Sequence, residues 1–154
     1  MKKVIFICST GGHLSEMMQL KELFDIYDSV LITEKDKTTQ NLTVDIPIKY
    51  LTFGTRKHLI RYLFIFSWNI LKSFIYYLQI RPDVVITTGA HTAVPLVYIA
   101  HFFKKKIVFI ESIARVHSTS MAGRLMEKKI DKLIVQWPEM LDVYEKAEYH
   151  GPLL

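Results

Sequence analysis

Near its N-terminus the chain reads Val4-Ile5-Phe6-Ile7-Cys8-Ser9-Thr10-Gly11-Gly12-His13-Leu14-Ser15-Glu16. The apolar, largely β-branched run predicts a buried strand, which ends abruptly in a glycine turn before a helical pattern begins. Backbone N–H groups at the start of that helix lack partners within it, and together with the helix dipole they favour an anion. The pattern predicts an α/β protein with a ligand loop after its first strand; the alternative is a tight turn that His13 merely caps.

The turn supplies the first candidate ligand-binding residues, which are Ser9, Thr10, Gly11, Gly12 and His13. Glycine lets the backbone approach a ligand closely, and histidine can exchange a proton near neutral pH. The sequence here is not GxGxxG, and no Gly-Lys-Ser/Thr follows, so neither the dinucleotide fingerprint nor a P-loop is present. A phosphate or diphosphate is the ligand class that this loop predicts.

Composition narrows the class of protein. The 154 residues, half of them hydrophobic, predict one domain spanning 1–154, and the single cysteine excludes a disulfide framework. The net charge of +5 favours an anionic partner, namely a phosphate-bearing substrate or a membrane surface. Nucleic acid is not expected, because basic and aromatic residues are not interleaved in one stripe.

The N-terminal apolar run is too short for a signal peptide, which predicts a cytoplasmic protein.

Apolar runs alternate with helical segments along the whole chain. Continuous Val/Ile runs are typical of strands covered on both faces, so the alternation predicts a Rossmann-like parallel sheet with flanking helices. Ligands of such sheets bind beyond the carboxyl ends of the strands. A polar segment, 34–45, predicts a mobile loop at this edge. The predicted strands are 3–8, 29–33, 48–52, 83–88, 107–110 and 132–135, and the predicted helices are 13–26, 57–80, 92–103 and 121–128.

The predicted helix 57–80 is the most apolar segment, and basic residues cluster at its start. Lys72 would lie near the middle of a membrane span, which argues against crossing the bilayer. Instead, a polar stripe on an aromatic helix predicts a helix in the membrane interface, with a core or partner-bound helix as the alternative. The residues predicted to meet the membrane are Arg61, Phe64, Phe66, Trp68 and Lys72.

Later loops add further candidates at the same edge of the sheet. Gly89 and His91 form a second strand-to-helix turn, in which His91 either contacts ligand or caps the helix. Glu111 ends an apolar strand and either binds loop N–H groups or faces ligand, while Arg115 either pairs with Glu111 or holds a phosphate. Trp137 offers a flat apolar surface. The tail, 149–154, breaks at a Gly-Pro pair and predicts docking to a partner through Gly151, Pro152, Leu153 and Leu154.

Together these motifs resemble the Alg14 family and its bacterial relatives in capsule and exopolysaccharide synthesis, the CpsF-, EpsE- and PssD-like subunits. More distantly, the layout is similar to the N-terminal half of MurG-type GT-B glycosyltransferases. The matching pieces are Gly11-Gly12-His13, Thr88-Gly89-Ala90, Glu111-Ser112 with Arg115, Ser118–Gly123, Val135-Gln136-Trp137-Pro138 and Gly151-Pro152-Leu153.

The resemblance implies half of a split enzyme that transfers a sugar from a UDP-sugar to a lipid-diphosphate-linked acceptor at the cytoplasmic face of the membrane. An Alg13- or CpsG-like partner would carry the UDP-sugar site, and neither a metal nor a cofactor is implied. His13 would be the catalytic base or a ligand of the acceptor diphosphate. Gly11, Gly12 and Gly89 would cradle that diphosphate, and Glu111 and Arg115 would orient the acceptor or the loops.

Two other classes stay open. One is a complete Rossmann-type module that binds a nucleotide, for which Glu34 lies close to the position of a ribose-binding carboxylate. The other is a peripheral membrane scaffold whose site has decayed.

Overall fold

The computed structural model describes all 154 residues and contains one sheet of seven parallel strands. The strands are β1 (Lys3–Cys8), β2 (Asp28–Lys35), β3 (Ile48–Thr52), β4 (Val84–Gly89), β5 (Lys106–Ile110), β6 (Lys132–Val135) and β7 (Ala147–Tyr149). The helices are α1 (Gly12–Met18), α2 (Lys21–Ile26), α3 (Leu59–Ile80), α4 (Val94–Phe102) and α5 (Met121–Met126). Single 3₁₀ turns cover His91–Ala93, Glu127–Lys129 and Pro138–Asp142.

The strand order is β3-β2-β1-β4-β5-β6-β7, which confirms the Rossmann-like fold. The chain runs outward from β1 to β3 and then returns to place β4 on the other side of β1. This reversal opens a crevice beyond the carboxyl ends of β1 and β4, which is the usual ligand position in such sheets. The two glycine turns of the sequence follow these two strands, so the topology brings them together.

Two apolar clusters sandwich the sheet. Ile5 and Ile7 point into the larger cluster, beneath α3, α4 and α5, while Phe6 and Cys8 point into the smaller one, beneath α1 and α2. Successive side chains of a strand face opposite sides, so the part of a strand that is buried on both faces must be apolar, as β1 is from Val4 to Cys8. Burial raises the pKa of the Cys8 thiol to about 12, in agreement with its expected role as a core residue.

Two predicted elements differ from the structure, and one strand was not predicted. The helix expected over 13–26 is two helices, because the chain turns at Gln19 and Leu20 between α1 and α2. Strand β2 continues to Lys35 and therefore includes Glu34, which was assigned to a loop. Strand β7 was missed, so the tail expected over 149–154 begins inside the sheet at Tyr149.

The segment expected to be a mobile loop is tied to the fold instead. Thr39 is fully buried, and its hydroxyl donates to the Glu34 carbonyl at 2.6 Å. The Tyr50 hydroxyl in turn donates to the Thr39 carbonyl at 2.8 Å. Further along, Leu42, Val44 and Ile46 pack against the smaller apolar cluster. The polar side chains of this segment form the hydrogen bonds of a turn, and its three apolar side chains attach the segment to the core.

Helix α3 seals the free edge of the sheet. Strand β3 has a neighbour on one side only, and an unpaired edge exposes backbone N–H and C=O groups. Asn69 replaces the missing strand: its Nδ2 donates to the Thr52 carbonyl and its Oδ1 accepts from the Thr52 N–H, both at 2.8 Å. The Tyr76 hydroxyl donates to the Tyr50 carbonyl at 2.7 Å.

The predicted polar stripe of α3 therefore has a different role from the one expected. Lys72 does not lie on the exposed face, because its ammonium donates to the Tyr50 carbonyl at 3.3 Å. Gln79 accepts from Lys49 at 3.1 Å, again on β3. Phe66 is half-buried and stacks on Tyr62 with ring centroids 5.9 Å apart. Sheet-edge contacts, rather than lipid headgroups, account for the polar side chains in the middle of this helix.

We expect Asn69→Ala to lower the free energy of unfolding by about 2 kcal/mol, because two hydrogen bonds are lost and two backbone groups of Thr52 are left unpaired. Urea denaturation measures this change. Ser67→Ala is the matched control on the exposed side of the same helix, and its effect should stay within about 0.5 kcal/mol. Equal effects of the two substitutions would contradict the edge-sealing role.

Candidate functional site

Two reciprocal hydrogen bonds join the loops at the crevice. His13, in the first turn of α1, places Nδ1 2.8 Å from the Thr88 carbonyl oxygen. The Thr88 hydroxyl donates back to the His13 carbonyl at 2.7 Å. These contacts bring the two predicted glycine turns into one site, where the His13 ring also lies beside Gly89.

The contact with Thr88 selects the tautomer of His13. A carbonyl oxygen only accepts, so Nδ1 carries the proton that it donates. In the neutral ring Nε2 then holds a lone pair, and it is free to accept a proton from a group in the crevice. The half-buried ring is thus held in the state that a general base requires.

The glycine loops leave room above the crevice. A Cβ at Gly11 or Gly12 would meet nothing within 4 Å, so both peptides are open to a ligand. Ser9 and Thr10 connect them to β1. Gly89 differs, because it has φ +102 and an added Cβ would lie 3.1 Å from the Phe109 ring. Glycine is therefore required at position 89 by the fold itself.

The second turn places His91 beside a buried carboxylate. His91 Nε2 lies 3.9 Å from Glu34 Oε1, and the Thr92 hydroxyl donates to the same oxygen. The ring edge of His91 meets Tyr62 of α3 at a centroid distance of 5.6 Å. Burial, followed by the positive charges of Arg56 and His13, lowers the pKa of His91. His91 therefore faces the same positively charged crevice as His13.

Sequence reasoning did not assign Glu34 to this group. Its carboxylate is 2% exposed and reaches from the end of β2, past β1, to the β4 turn. Burial raises its pKa, with hydrogen bonds from Thr92 and the Gly54 N–H acting in the opposite direction. The sequence does contain a signal for this role, because Glu34, like Glu111, is a carboxylate at the end of an apolar strand.

Of the two alternatives for Glu111, the structure shows the first, in which the carboxylate binds groups of the loop. Its side chain is 1% exposed and accepts hydrogen bonds from the Ser112 N–H, the Ser120 N–H and hydroxyl, and the Tyr144 hydroxyl, at 2.5 to 3.1 Å. A Cβ at Gly123 would overlap the Tyr144 hydroxyl, so this cluster also requires a glycine. Glu111 organises the loop after β5 from within.

Arg115 forms no ion pair with Glu111, since its side chain is exposed and Glu111 points inward. The loop between them is held at Ile113 instead. The Ile113 N–H donates to Glu16 of α1 at 2.8 Å, and its carbonyl accepts from Trp137 Nε1 at 2.6 Å. Glu16, which sequence reasoning missed, thereby connects the helix of His13 to the loop after β5.

The C-terminal tail is tied to the same region. Gln136 donates to the Glu111 carbonyl at 3.0 Å and accepts from the Leu153 N–H at 2.8 Å. Leu153 is half-buried, whereas Pro152 and Leu154 are exposed and Gly151 has φ +94. Trp137 is 38% exposed beside them. The predicted partner residues therefore lie together on one side of the domain.

The outward half of α3 is a largely apolar surface. By length and composition alone α3 could cross a membrane, yet Asn69, Ser73 and Tyr77 on its inward face are buried in the domain. Ser67 is the single polar residue in the middle of the outward half, and its hydroxyl is satisfied by the Leu63 carbonyl. Phe64 is 74% exposed and Trp68 51%. The exposed apolar residues are Leu59, Ile60, Leu63, Phe64, Trp68, Ile70, Leu71, Phe74, Ile75 and Leu78.

Comparison with known proteins identifies the family. The family model described as "Oligosaccharide biosynthesis protein Alg14 like" matches residues 3–153. The chain belongs to the Alg14 family. An Alg14 relative from Candida albicans, the UDP-N-acetylglucosamine transferase subunit ALG14, is 30% identical over 99% of this chain and 81% of its own length. The mouse protein of the same name is 27% identical over 99% of this chain and 83% of its own length.

Solved structures show where the Alg14 fold recurs. The crystal structure of Acinetobacter baumannii MurG superposes with a TM-score of 0.76 at 13% identity, over 97% of this chain and 45% of that one. A UDP-GlcNAc 2-epimerase from Methanocaldococcus jannaschii gives 0.64 at 14% identity, over 91% of this chain and 41% of that one. The chain thus has the fold of the N-terminal domain of a GT-B protein and spans under half the length of these neighbours.

We expect Glu111→Gln to lower the free energy of unfolding by about 2–4 kcal/mol, because an amide cannot accept from all the donors that converge on the carboxylate. Chemical denaturation followed by tryptophan fluorescence measures the change. Glu139→Gln, an exposed carboxylate in the following loop, should stay within about 0.5 kcal/mol. Wild-type stability of Glu111→Gln would show that the internal role is wrong.

Proposed function

We propose that this Alg14-family chain is the acceptor-binding and membrane-recruiting subunit of a two-component UDP-sugar glycosyltransferase. The observation that carries the proposal is His13, held at the switch point of a GT-B-like sheet with Nε2 free to accept a proton. The fungal and mouse relatives, which are named as subunits of a UDP-N-acetylglucosamine transferase, support the reaction class. The bacterial subunits that the sequence resembles suggest capsule or exopolysaccharide synthesis as the setting.

The proposed step is inverting transfer to a lipid-diphosphate-linked saccharide. An acceptor hydroxyl attacks the anomeric carbon of the donor sugar, its proton passes to His13 Nε2, and UDP leaves with the electron pair of the broken bond. A histidine held by Thr88 would be correctly oriented before substrate arrives. Gly11, Gly12 and Gly89 would let the acceptor diphosphate approach the backbone.

A partner subunit of Alg13 or CpsG type is proposed to supply the UDP-sugar site. The chain spans 45% of MurG, and its fold corresponds to one of two GT-B domains. Trp137 and the tail residues form the side on which we propose that the partner docks, since Gln136 fixes Leu153 there.

Membrane attachment is proposed to occur through the outward face of α3, with the domain on the cytoplasmic side. That face is apolar along a helix of about 33 Å, at ~1.5 Å per residue. Arg56, Lys57, His58 and Arg61 stand at one end, where they can meet anionic headgroups. Spanning would draw the polar edge of the sheet into hydrocarbon, so an in-plane orientation is favoured.

The geometry weighs against a complete nucleotide-binding module. In that class the carboxylate after β2 binds ribose hydroxyls. Here Glu34 is buried and its oxygens are taken by Thr92 and the Gly54 N–H. A scaffold with a decayed site would need no proton acceptor in the crevice, whereas His13 keeps Nε2 free there.

The test of the proposed function is a transfer assay with UDP-N-acetylglucosamine, UDP-galactose and UDP-glucose on membranes that hold the lipid-linked acceptor. This chain, a candidate partner of Alg13 or CpsG type, and both together are compared. We expect strong transfer only with both chains. Full transfer by this chain alone, or no effect of this chain on its partner, would contradict the split-enzyme proposal.

His13→Ala should reduce transfer by about a hundredfold or more while leaving partner binding intact, because a general base contributes roughly 10²–10⁴. His13→Asn separates two roles, since its amide can still donate to the Thr88 carbonyl but cannot accept the proton. Equal losses in both variants support the base. Activity retained by His13→Asn would indicate that His13 only shapes the loop, and Gln19→Ala, at the exposed position directly after α1, is the control.

Phe64→Glu should release the protein from vesicles of phosphatidylethanolamine and phosphatidylglycerol, weakening partition about tenfold or more because a buried phenyl ring is replaced by a charge. Ile26→Glu, which is also well exposed, at 57%, but lies on the opposite face of the sheet, is the control. Unchanged vesicle sedimentation of Phe64→Glu would indicate that α3 meets a protein rather than lipid.

A further inference from the structure

Arg56 stands at the mouth of the crevice with neutral partners only. It lies in the loop between β3 and α3, where its Nη2 is 3.3 Å from Met121 Sδ. Its Cζ is 5.8 Å from the centroid of the Tyr62 ring. No carboxylate forms an ion pair with it. A guanidinium held by a thioether and a ring keeps its full charge and most of its five N–H donors available.

Tyr62 links this cation to the crevice. One face of its ring meets Arg56, and the ring also packs against His91. The three side chains form a row from the β3–α3 loop to the β4 turn, which we call the Arg56–His91 row. Burial and then the charge of Arg56 lower the pKa of His91, so the positive potential of the row comes from the Arg56 guanidinium.

No carboxylate neutralises this potential at the surface. Glu34 is the one carboxylate that reaches the row, at 3.9 Å from His91. It is 2% exposed, and it is occupied by Thr92 and the Gly54 N–H. An anionic ligand is therefore the chemical class that the row favours.

The surroundings indicate which anion it is. Leu59 and Ile60, 65% and 75% exposed, begin α3 directly after the loop of Arg56, and Phe64 follows one turn later. An anion at Arg56 would therefore have an apolar surface on one side and the His13 crevice on the other. A free phosphate or a nucleotide has no apolar chain that could contact the apolar side, whereas a lipid diphosphate has both an anionic group and an apolar chain.

We propose that Arg56 binds the diphosphate of the lipid-linked acceptor, with the lipid chain along the first turns of α3 and the sugar directed to His13. Tyr62 is the positioning residue that holds the guanidinium. The inference rests on the proposed function and names the cation that its substrate would require. Arginine can bind two phosphate oxygens at once, which a lysine cannot do with the same geometry.

Binding of farnesyl diphosphate to the isolated chain in detergent, measured by calorimetry, tests the site without a partner or a reaction. Inorganic diphosphate and farnesol are measured in parallel, because they carry the two halves of the probe. We compare the wild type with Arg56→Ala, Arg56→Lys, Tyr62→Leu and Arg124→Ala. Arg124 is the matched control, since it is exposed on α5 beside Met121 and forms no ion pair.

Arg56→Ala should weaken binding of farnesyl diphosphate about tenfold or more, as expected for a lost charged contact. Arg56→Lys and Tyr62→Leu should lie between that variant and the wild type, and Arg124→Ala should stay within twofold. Thermal unfolding of Arg56→Ala should match the wild type because the side chain is exposed.

Equal losses in Arg56→Ala and Arg124→Ala would mean unspecific attraction to a basic protein and would overturn the proposal. Wild-type binding by Arg56→Ala would do the same. Equal affinity for inorganic diphosphate and farnesyl diphosphate would show that the lipid chain contributes nothing and would overturn that half of the proposal. Equal affinity for farnesol and farnesyl diphosphate would overturn the half that concerns the diphosphate. Since no transfer is involved, a selective loss in Arg56→Ala would stand even if the two-subunit transfer assay failed.

Discussion

The ligand edge of this domain depends on the pair of hydrogen bonds between His13 and Thr88. Beyond the ends of β1 and β4 the backbone ladder stops, and the register already shifts between Ile7 and Cys8. Side chains must therefore hold the two loops together. Because one bond uses the ring and the other uses the backbone of the same residue, His13 is both a structural tie and the group with a free lone pair. Any shift of the loop would therefore disturb both the tie to Thr88 and the position of the free Nε2 lone pair.

Two buried carboxylates stabilise the loops on either side of that tie. Glu34 joins the end of β2 to the β4 turn, and Glu111 gathers the loop after β5 with Tyr144 and Ser120. Buried carboxylates are tolerated only when their oxygens are satisfied. In both cases donors from another segment of the chain meet that need. Buried carboxylates thus fix the loops of the ligand edge from the protein interior, while the basic side chains remain on the side of the crevice.

The fold could be read from the sequence because strands buried on both faces need continuous apolar runs, as β1 and β5 have. Strand β7 was not recognised, since Ala147-Glu148-Tyr149 is short and half-exposed and pairs with a single neighbour. Glycine turns located the crevice correctly. The direction of a side chain was harder to predict. Lys72 was expected to face the membrane and turns inward, and the sequence left open whether Glu111 faces ligand or binds the loop, as it does. A helical wheel groups residues by face but does not say what each face meets.

Helix α3 has one face that contacts protein and one that does not, and this difference sets how freely its sequence can drift. Positions such as Asn69 and Tyr77 meet specific partners and allow few replacements. Outward positions such as Leu71 and Ile75 do not pack against a protein surface of defined shape, so the only requirement on these side chains is that they are apolar. A census of tolerated substitutions along the helix should therefore show two interleaved patterns with helical period. Strict identity is expected on one side, and free exchange among large apolar residues on the other.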